Sequence, residues 1–108
     1  MELKDIKSVY FIGAGGIGMS AIARYFLHRK LTVAGYDKTP SELTRQLEKE
    51  GMDIHYEENV GLIPEECRKP ASTLVVFTPA IPASHAELVY FHENGFEIQK
   101  RAQVLGTL

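Results

Sequence analysis

The sequence predicts an α/β fold built on a mostly parallel sheet. Three observations carry this prediction: short apolar runs rich in β-branched and aromatic residues recur along the chain, helix-spaced segments with their own start and stop residues separate them, and the first run ends in a cluster of glycines. At 108 residues the chain fits one domain with a single core, so residues 1–108 are expected to form one unit. Apolar residues make up 44% and charged residues 24%, an ordinary balance for a folded domain. The net charge of −2 supplies no long-range field for nucleic acid or an acidic membrane. Any bound anion must therefore be held by local geometry.

Each element has a local reason. SVYFI (8–12) is a buried strand. From Gly16 to about Arg29 the spacing is helical, with Ile22, Phe26 and the pair Met19/Ala23 on one side. LTVAGYD (31–37) is a second strand ending on an acid. TPSELTRQLEKEG (39–51) carries helix punctuation: Thr39 as N-cap, Pro40 at the first helical position, Glu42 closing a capping box and Gly51 in the C-terminal left-handed position. DIHY (53–56) is a short strand, and Thr73–Phe77 within STLVVFTPAIP is the most apolar one. SHAELVYFHENG (84–95) repeats the capping pattern with Ser84, Glu87 and Gly95. FEIQKR (96–101) is a last strand, and AQVLGTL begins a helix. The order implies a Rossmann-like open sheet of about five strands, with helices on both faces and right-handed crossovers.

Gly13-Ala14-Gly15-Gly16-Ile17-Gly18 satisfies G-x-G-x-x-G directly after a strand and at the mouth of a helix. In that setting Gly13 permits a tight turn, Gly15 admits close approach of a ligand, and Gly18 lets helix and strand pack together. Backbone N–H groups at the helix start then face an anion, so no lysine is required. Asp37 follows Gly18 by 19 residues at the end of the second strand, where a ribose-binding acid belongs. The same acid would also be favoured by the dipole of the helix that follows it. The FTPAIP loop (77–82) leaves a strand at the sheet edge where open α/β sheets bind ligands. Thr78, Pro79, Ala80 and Ile81 are candidates there for contact with a base or sugar, and a proline-stiffened connection is the structural alternative.

Other chemistry finds less support. His55 reads as a partly buried structural imidazole, and His28, His85 and His92 as surface helix residues. No histidine, cysteine or acid cluster has metal-ligand spacing, and no nucleophile–base arrangement can be assembled. Cys67, between Glu66 and Arg68, fits an incidental thiol in a reducing compartment. No G-x-x-x-x-G-K-[ST] occurs, so no Walker-type ATP loop is present. No apolar run approaches the ~20 residues of a membrane span, and MELKDIKS lacks a secretory apolar core. A cytoplasmic binding domain without a catalytic residue of its own is the expectation.

FIGAGGIGMSAIARYF followed by VAGYD resembles the opening of the Mur ligase family of peptidoglycan synthesis, a strand, G-x-G-G-x-G-M, a helix and a strand ending in S-G-S-D. HYEENV (55–60) resembles the family's H-x-x-x-N-V, TLVVFTPAI (73–81) its V-V-V-S-S-A-I, and KRAQVLGTL (100–108) its R-A-E-M-L stretch. The resemblance implies a domain that binds the UDP portion of UDP-N-acetylmuramate and not NAD. Gly13 to Gly18 would cradle the diphosphate. Asp37, His55 and Thr78 to Ile81 would line the uridine pocket, and Arg101 would face the phosphates or sugar. It further implies that the complete enzyme, with ATP and Mg2+, activates the muramoyl carboxylate as an acyl phosphate for attack by L-alanine. The ATP-binding central domain and the C-terminal domain would lie outside this chain. Three positions depart from the family pattern: Tyr36 before Asp37, Pro79 after Thr78, and Gln103 in place of a glutamate. Proline at 79 removes one N–H donor, leaving Thr78, Ala80 and Ile81. Alternatives are the recycling ligase that attaches a ready-made tripeptide, a nicotinamide-binding oxidoreductase or sensor domain, and a ligand-free interaction module.

Overall fold

A computed structural model of the protein describes residues 2–16 and 18–108, Thr107 by its backbone alone. Among these residues five strands, β1 (Ser8–Ile12), β2 (Thr32–Tyr36), β3 (Asp53–His55), β4 (Thr73–Phe77) and β5 (Glu97–Lys100), alternate with helices α1 (Met19–His28), α2 (Glu42–Lys49), α3 (Ala86–Glu93) and α4 (Arg101–Thr107). Short 3-10 turns at Val60–Leu62 and Glu65–Cys67 occupy the long β3-to-β4 connection. The sheet order is β3-β2-β1-β4-β5 and every pairing is parallel. Ser8 stands opposite both Thr32 and Thr73, so three central strands start in register and end together.

The central position of β1 explains its composition. All five of its residues are buried, because helices cover both of its faces. Val9 and Phe11 pack with Met19, Ile22 and Phe26 of α1, Leu47 of α2 and Val104 of α4. Tyr10 and Ile12 point the other way, into Cys67, Val75, Phe91 and Phe96. Each such fully buried aromatic or aliphatic side chain contributes about 1.5–3 kcal/mol. The two polar residues at the strand starts satisfy each other: the Ser8 and Thr73 hydroxyls lie 2.7 Å apart, and Ser8 also donates to the Glu66 carbonyl at 3.0 Å. Gly51 and Gly95 take the left-handed conformation after α2 and α3, as their helix-stop roles require.

The helix starts differ from expectation. Helix α1 begins at Met19 rather than Gly16, because Gly18 has a φ of 78° and stands outside it as the N-cap. Helix α2 is capped by Ser41, not Thr39. The Ser41 Oγ accepts from the Thr44 N–H at 3.1 Å, and the Thr44 hydroxyl accepts from the Ser41 N–H at 2.8 Å. Thr39 is held instead by Asp37, whose Oδ1 accepts its N–H at 3.0 Å, an Asx turn that delays the helix by two residues. Helix α3 is capped by His85, not Ser84. Its Nδ1 accepts the Glu87 N–H at 3.2 Å, and the Glu87 side chain turns inward instead of capping.

Candidate functional site

The C-terminal ends of β2, β1 and β4 lie side by side, and the chain reverses its direction of travel across the sheet between β1 and β4. Open α/β sheets form their ligand crevices at such a point. A cleft of about 500 Å³ opens there. The glycine turn after β1 supplies Gly13, Gly15 and Gly16, and the end of β2 supplies Tyr36, Asp37 and Lys38. The connection after β4 supplies Thr78, Ala80, Ile81, Pro82 and His85, and Glu58 closes one side from the segment after β3.

The turn is built by its own hydrogen bonds. Gly13, with a φ of 94°, and Ala14 both donate to the Tyr36 carbonyl, at 2.8 and 2.9 Å, which ties the turn to β2. Gly16 donates to the Gly13 carbonyl at 2.9 Å. The Gly15 N–H points at Asp37, whose Oδ2 accepts it at 2.6 Å, a short charge-assisted bond. A carboxylate oxygen therefore already sits at the loop, the position the dipole of α1 favours for negative charge. Two of the four lone-pair positions on Asp37 are in use, and the others remain for hydroxyl donors in the cleft.

These contacts give Gly15 a structural role as well. A Cβ there would stand 2.9 Å from Asp37 Oδ2 and 3.1 Å from the Thr44 methyl group. Its missing side chain makes room for the protein's own acid and for the first turn of α2. Gly18 likewise makes room for Arg101: a Cβ at 18 would come within 2.7 Å of Nη1. The guanidinium, from the first residue of α4, thus crosses the start of α1 beside the glycine turn, although it does not line the cleft. Lys38 stands in the cleft wall. Two cations consequently accompany the turn in a chain whose net charge is negative.

The structure brings Gly13, Gly15, Gly16, Asp37, Thr78, Ala80 and Ile81 together in one wall system. Ala14 is buried beneath it, and Pro79 is exposed outside it. Ile17 lies outside the described residues. His55 does not line the cleft. Its Nε2 is 2.8 Å from Glu87 Oε2 and 3.2 Å from the Tyr10 hydroxyl, which itself donates to Glu87 Oε1. The Asn59 N–H adds a third donor to Glu87 at 3.1 Å. This buried carboxylate joins β1, β3, the following loop and α3, directly behind the cleft wall. Burial first, and then the Glu87 charge, push the Tyr10 phenol far above its ordinary range, so it serves as a donor. His85, expected on a helix surface, is 4% exposed and forms part of the cleft wall. His28 and His92 are exposed on their helices.

The profile described as Mur ligase family, catalytic domain, matches residues 8–108. The chain belongs to the Mur ligase family. It is 60% identical over 108 residues to a protein of Parabacteroides distasonis and 63% identical over 108 residues to one of Phocaeicola vulgatus, each named UDP-N-acetylmuramate–L-alanine ligase. All of this chain is covered in both cases, against 23% and 24% of those proteins, so it spans about a quarter of their length. Its backbone matches the UDP-N-acetylmuramate–alanine ligase of Thermotoga maritima with a TM-score of 0.79 at 28% identity, over 91% of this chain and 21% of that one. A UDP-N-acetylmuramate:L-alanyl-γ-D-glutamyl-meso-diaminopimelate ligase of Neisseria meningitides shares the fold, with a TM-score of 0.77 at 20% identity, over 93% of this chain and 30% of that one.

Within this Mur ligase chain, Tyr36, Lys38, Glu58, Pro82 and His85 are the cleft residues that sequence reasoning passed over. Tyr36 carried a signal, as the departure next to Asp37. Its phenol is held above the ordinary range by burial first and then by the nearby Glu58, Glu87 and Asp37 charges, so it too stays protonated. Gln103 has a plain local role, accepting the Lys100 N–H at 2.7 Å at the start of α4, which glutamine performs as well as glutamate. The sequence has no Walker-type loop, and among the described residues no three potential metal ligands come together. Nor is any helix among them long and apolar enough to cross a membrane.

Proposed function

We propose that the cleft binds the UDP moiety of UDP-N-acetylmuramate, within a cytoplasmic UDP-N-acetylmuramate–L-alanine ligase of which this chain is the N-terminal domain. The observation that carries this reading is the convergence of the glycine turn, Asp37 and the Thr78–Ile81 loop at the sheet's switch point, in a chain whose relatives bear that ligase name. The diphosphate lies along the glycine turn, with Arg101 and Lys38 as flanking cations. The remaining lone pairs of Asp37 take ribose hydroxyls, and Tyr36, Thr78 and Ile81 enclose the base.

ATP, Mg2+ and L-alanine act in parts of the ligase that this chain does not span, and residues 1–108 alone bind substrate without forming the amide. Titration of the 108-residue chain with UDP, followed by amide NMR, is the test. UDP is expected to shift the amides of Gly13, Gly15 and Gly16 saturably, and NAD is expected to leave them in place. Saturable binding of NAD with no response to UDP would reverse the reading.

A further inference from the structure

Two side chains on one wall of the cleft come from separate elements, Glu58 from the segment after β3 and His85 from the start of α3. Their direct contacts are slight. Glu58 is 46% exposed, and its Oε1 stands 3.7 Å from His85 Nε2, beyond hydrogen-bonding range. Its Oε2 accepts the Ala86 N–H at 2.8 Å at the protein surface. The firmer link lies beneath, at Glu87. The Glu87 Oε2 accepts the Asn59 N–H at 3.1 Å and lies 2.8 Å from His55 Nε2, so both ends of the stretch that carries Glu58 are tied to one carboxylate. The Glu87 N–H donates to His85 Nδ1 at 3.2 Å, which sets that imidazole in the same wall.

The residue type is informative. A fully buried carboxylate is costly, and an apolar side chain of similar volume would fill the space at less cost. What glutamate supplies is acceptors. The Tyr10 hydroxyl, the His55 imidazole and the Asn59 N–H converge on it from β1, β3 and the following loop, and it meets them with lone pairs and no proton of its own. We propose that Glu87 is a positioning residue for nucleotide binding, holding the Glu58 segment and the start of α3 at a fixed spacing before the ligand arrives. This rests on the UDP reading above and assigns Glu87 no contact with the nucleotide. A wall ordered in advance raises affinity because the binding step no longer bears the cost of ordering it.

Calorimetric titration of the 108-residue chain with UDP, read beside urea denaturation, separates positioning from stability. Glu87→Gln is expected to weaken UDP binding at least about tenfold where circular dichroism shows it folded, the scale of one misplaced polar contact. Glu87→Asp keeps the charge but shortens the reach; it is expected to lose affinity in the same direction and serves if Glu87→Gln does not fold. Ile6→Ala opens the core ahead of β1, at the end of the sheet opposite the cleft. It is expected to lose stability yet keep the UDP affinity within about twofold, as an independent site should. By amide exchange, the Asn59 N–H should be protected in the wild type before UDP is added and unprotected in the Glu87 variants. Wild-type affinity in a folded Glu87 variant, or equal affinity losses in it and Ile6→Ala, overturns the positioning role and leaves the nucleotide site standing. An Asn59 amide protected only once UDP is bound overturns it too. Failure of the wild type to bind UDP overturns both readings.

Discussion

At the scale of single residues, the most consequential side chain is one that touches no ligand. Glu87 has no exposed surface and gathers the Tyr10 hydroxyl, the His55 imidazole and the Asn59 N–H. A buried carboxylate is tolerable only when its lone pairs are filled in this way. Replacing it by glutamine keeps the volume but turns an NH2 group toward donors. Glu87→Gln is expected to lower unfolding free energy by about 2–3 kcal/mol, the range for losing charge-assisted buried bonds. Urea denaturation followed by circular dichroism measures it, and an unchanged midpoint would show that the network carries no stability. Sequence reasoning placed Glu87 in a capping box because Ser84 stands three residues before it, a purely local pattern. Its partners lie 28, 32 and 77 positions away in the chain, a distance no local pattern reports.

At the scale of elements, strands were legible and helix starts were not. The run from Ser8 to Ile12 and that from Thr73 to Phe77 are recognisable because full burial demands uninterrupted apolar or β-branched residues. A helix start depends on which of several polar residues turns its side chain back, and Thr39 and Ser41 both qualify by type. Asp37 decides between them by capturing the Thr39 N–H, which leaves Ser41 to close the box with Thr44. The consequence is measurable. Ser41→Ala is expected to cost about 1 kcal/mol, the usual value of a lost N-cap, and Thr39→Ala less than about 0.5 kcal/mol, as an ordinary surface change. Equal losses in the two variants would return the cap to Thr39. The glycine turn was legible at this scale too, since its spacing lies within one loop. The His85–Glu58 pair was not, because it joins the loop after β3 to the start of α3.

At the scale of the whole molecule, the sheet divides the core into two layers of different chemistry. Among the described residues, the cluster under α1, α2 and α4 has titratable side chains only at its partly buried edge, at Tyr25 and Tyr56, whereas the cluster under α3 has Tyr10 and Cys67 fully buried. Alternation of strands and helices made the parallel sheet predictable. The insertion of β1 between β2 and β4, which creates both the switch point and the two layers, depends on how the chain crosses the sheet. Burial pushes the Cys67 thiol up to about 12 from an ordinary 9.0, and Tyr10 is raised in the same direction. Below pH 9 both groups are protonated whether the chain is folded or not, and they give no pH dependence. Above pH 9 the unfolded chain releases the thiol proton while the folded chain retains it. The folded state then binds more protons, so stability falls as pH rises toward 12. Each linked group contributes a slope of at most about 1.4 kcal/mol per pH unit. Urea midpoints measured from pH 8 to 11 should therefore be level at first and then decline. Cys67→Ala should lower the whole curve through its cavity yet flatten the segment just above pH 9, where the thiol titrates before Tyr10. A variant whose curve declines in parallel with the wild type would show that the buried thiol is not the group that first couples this fold to alkali.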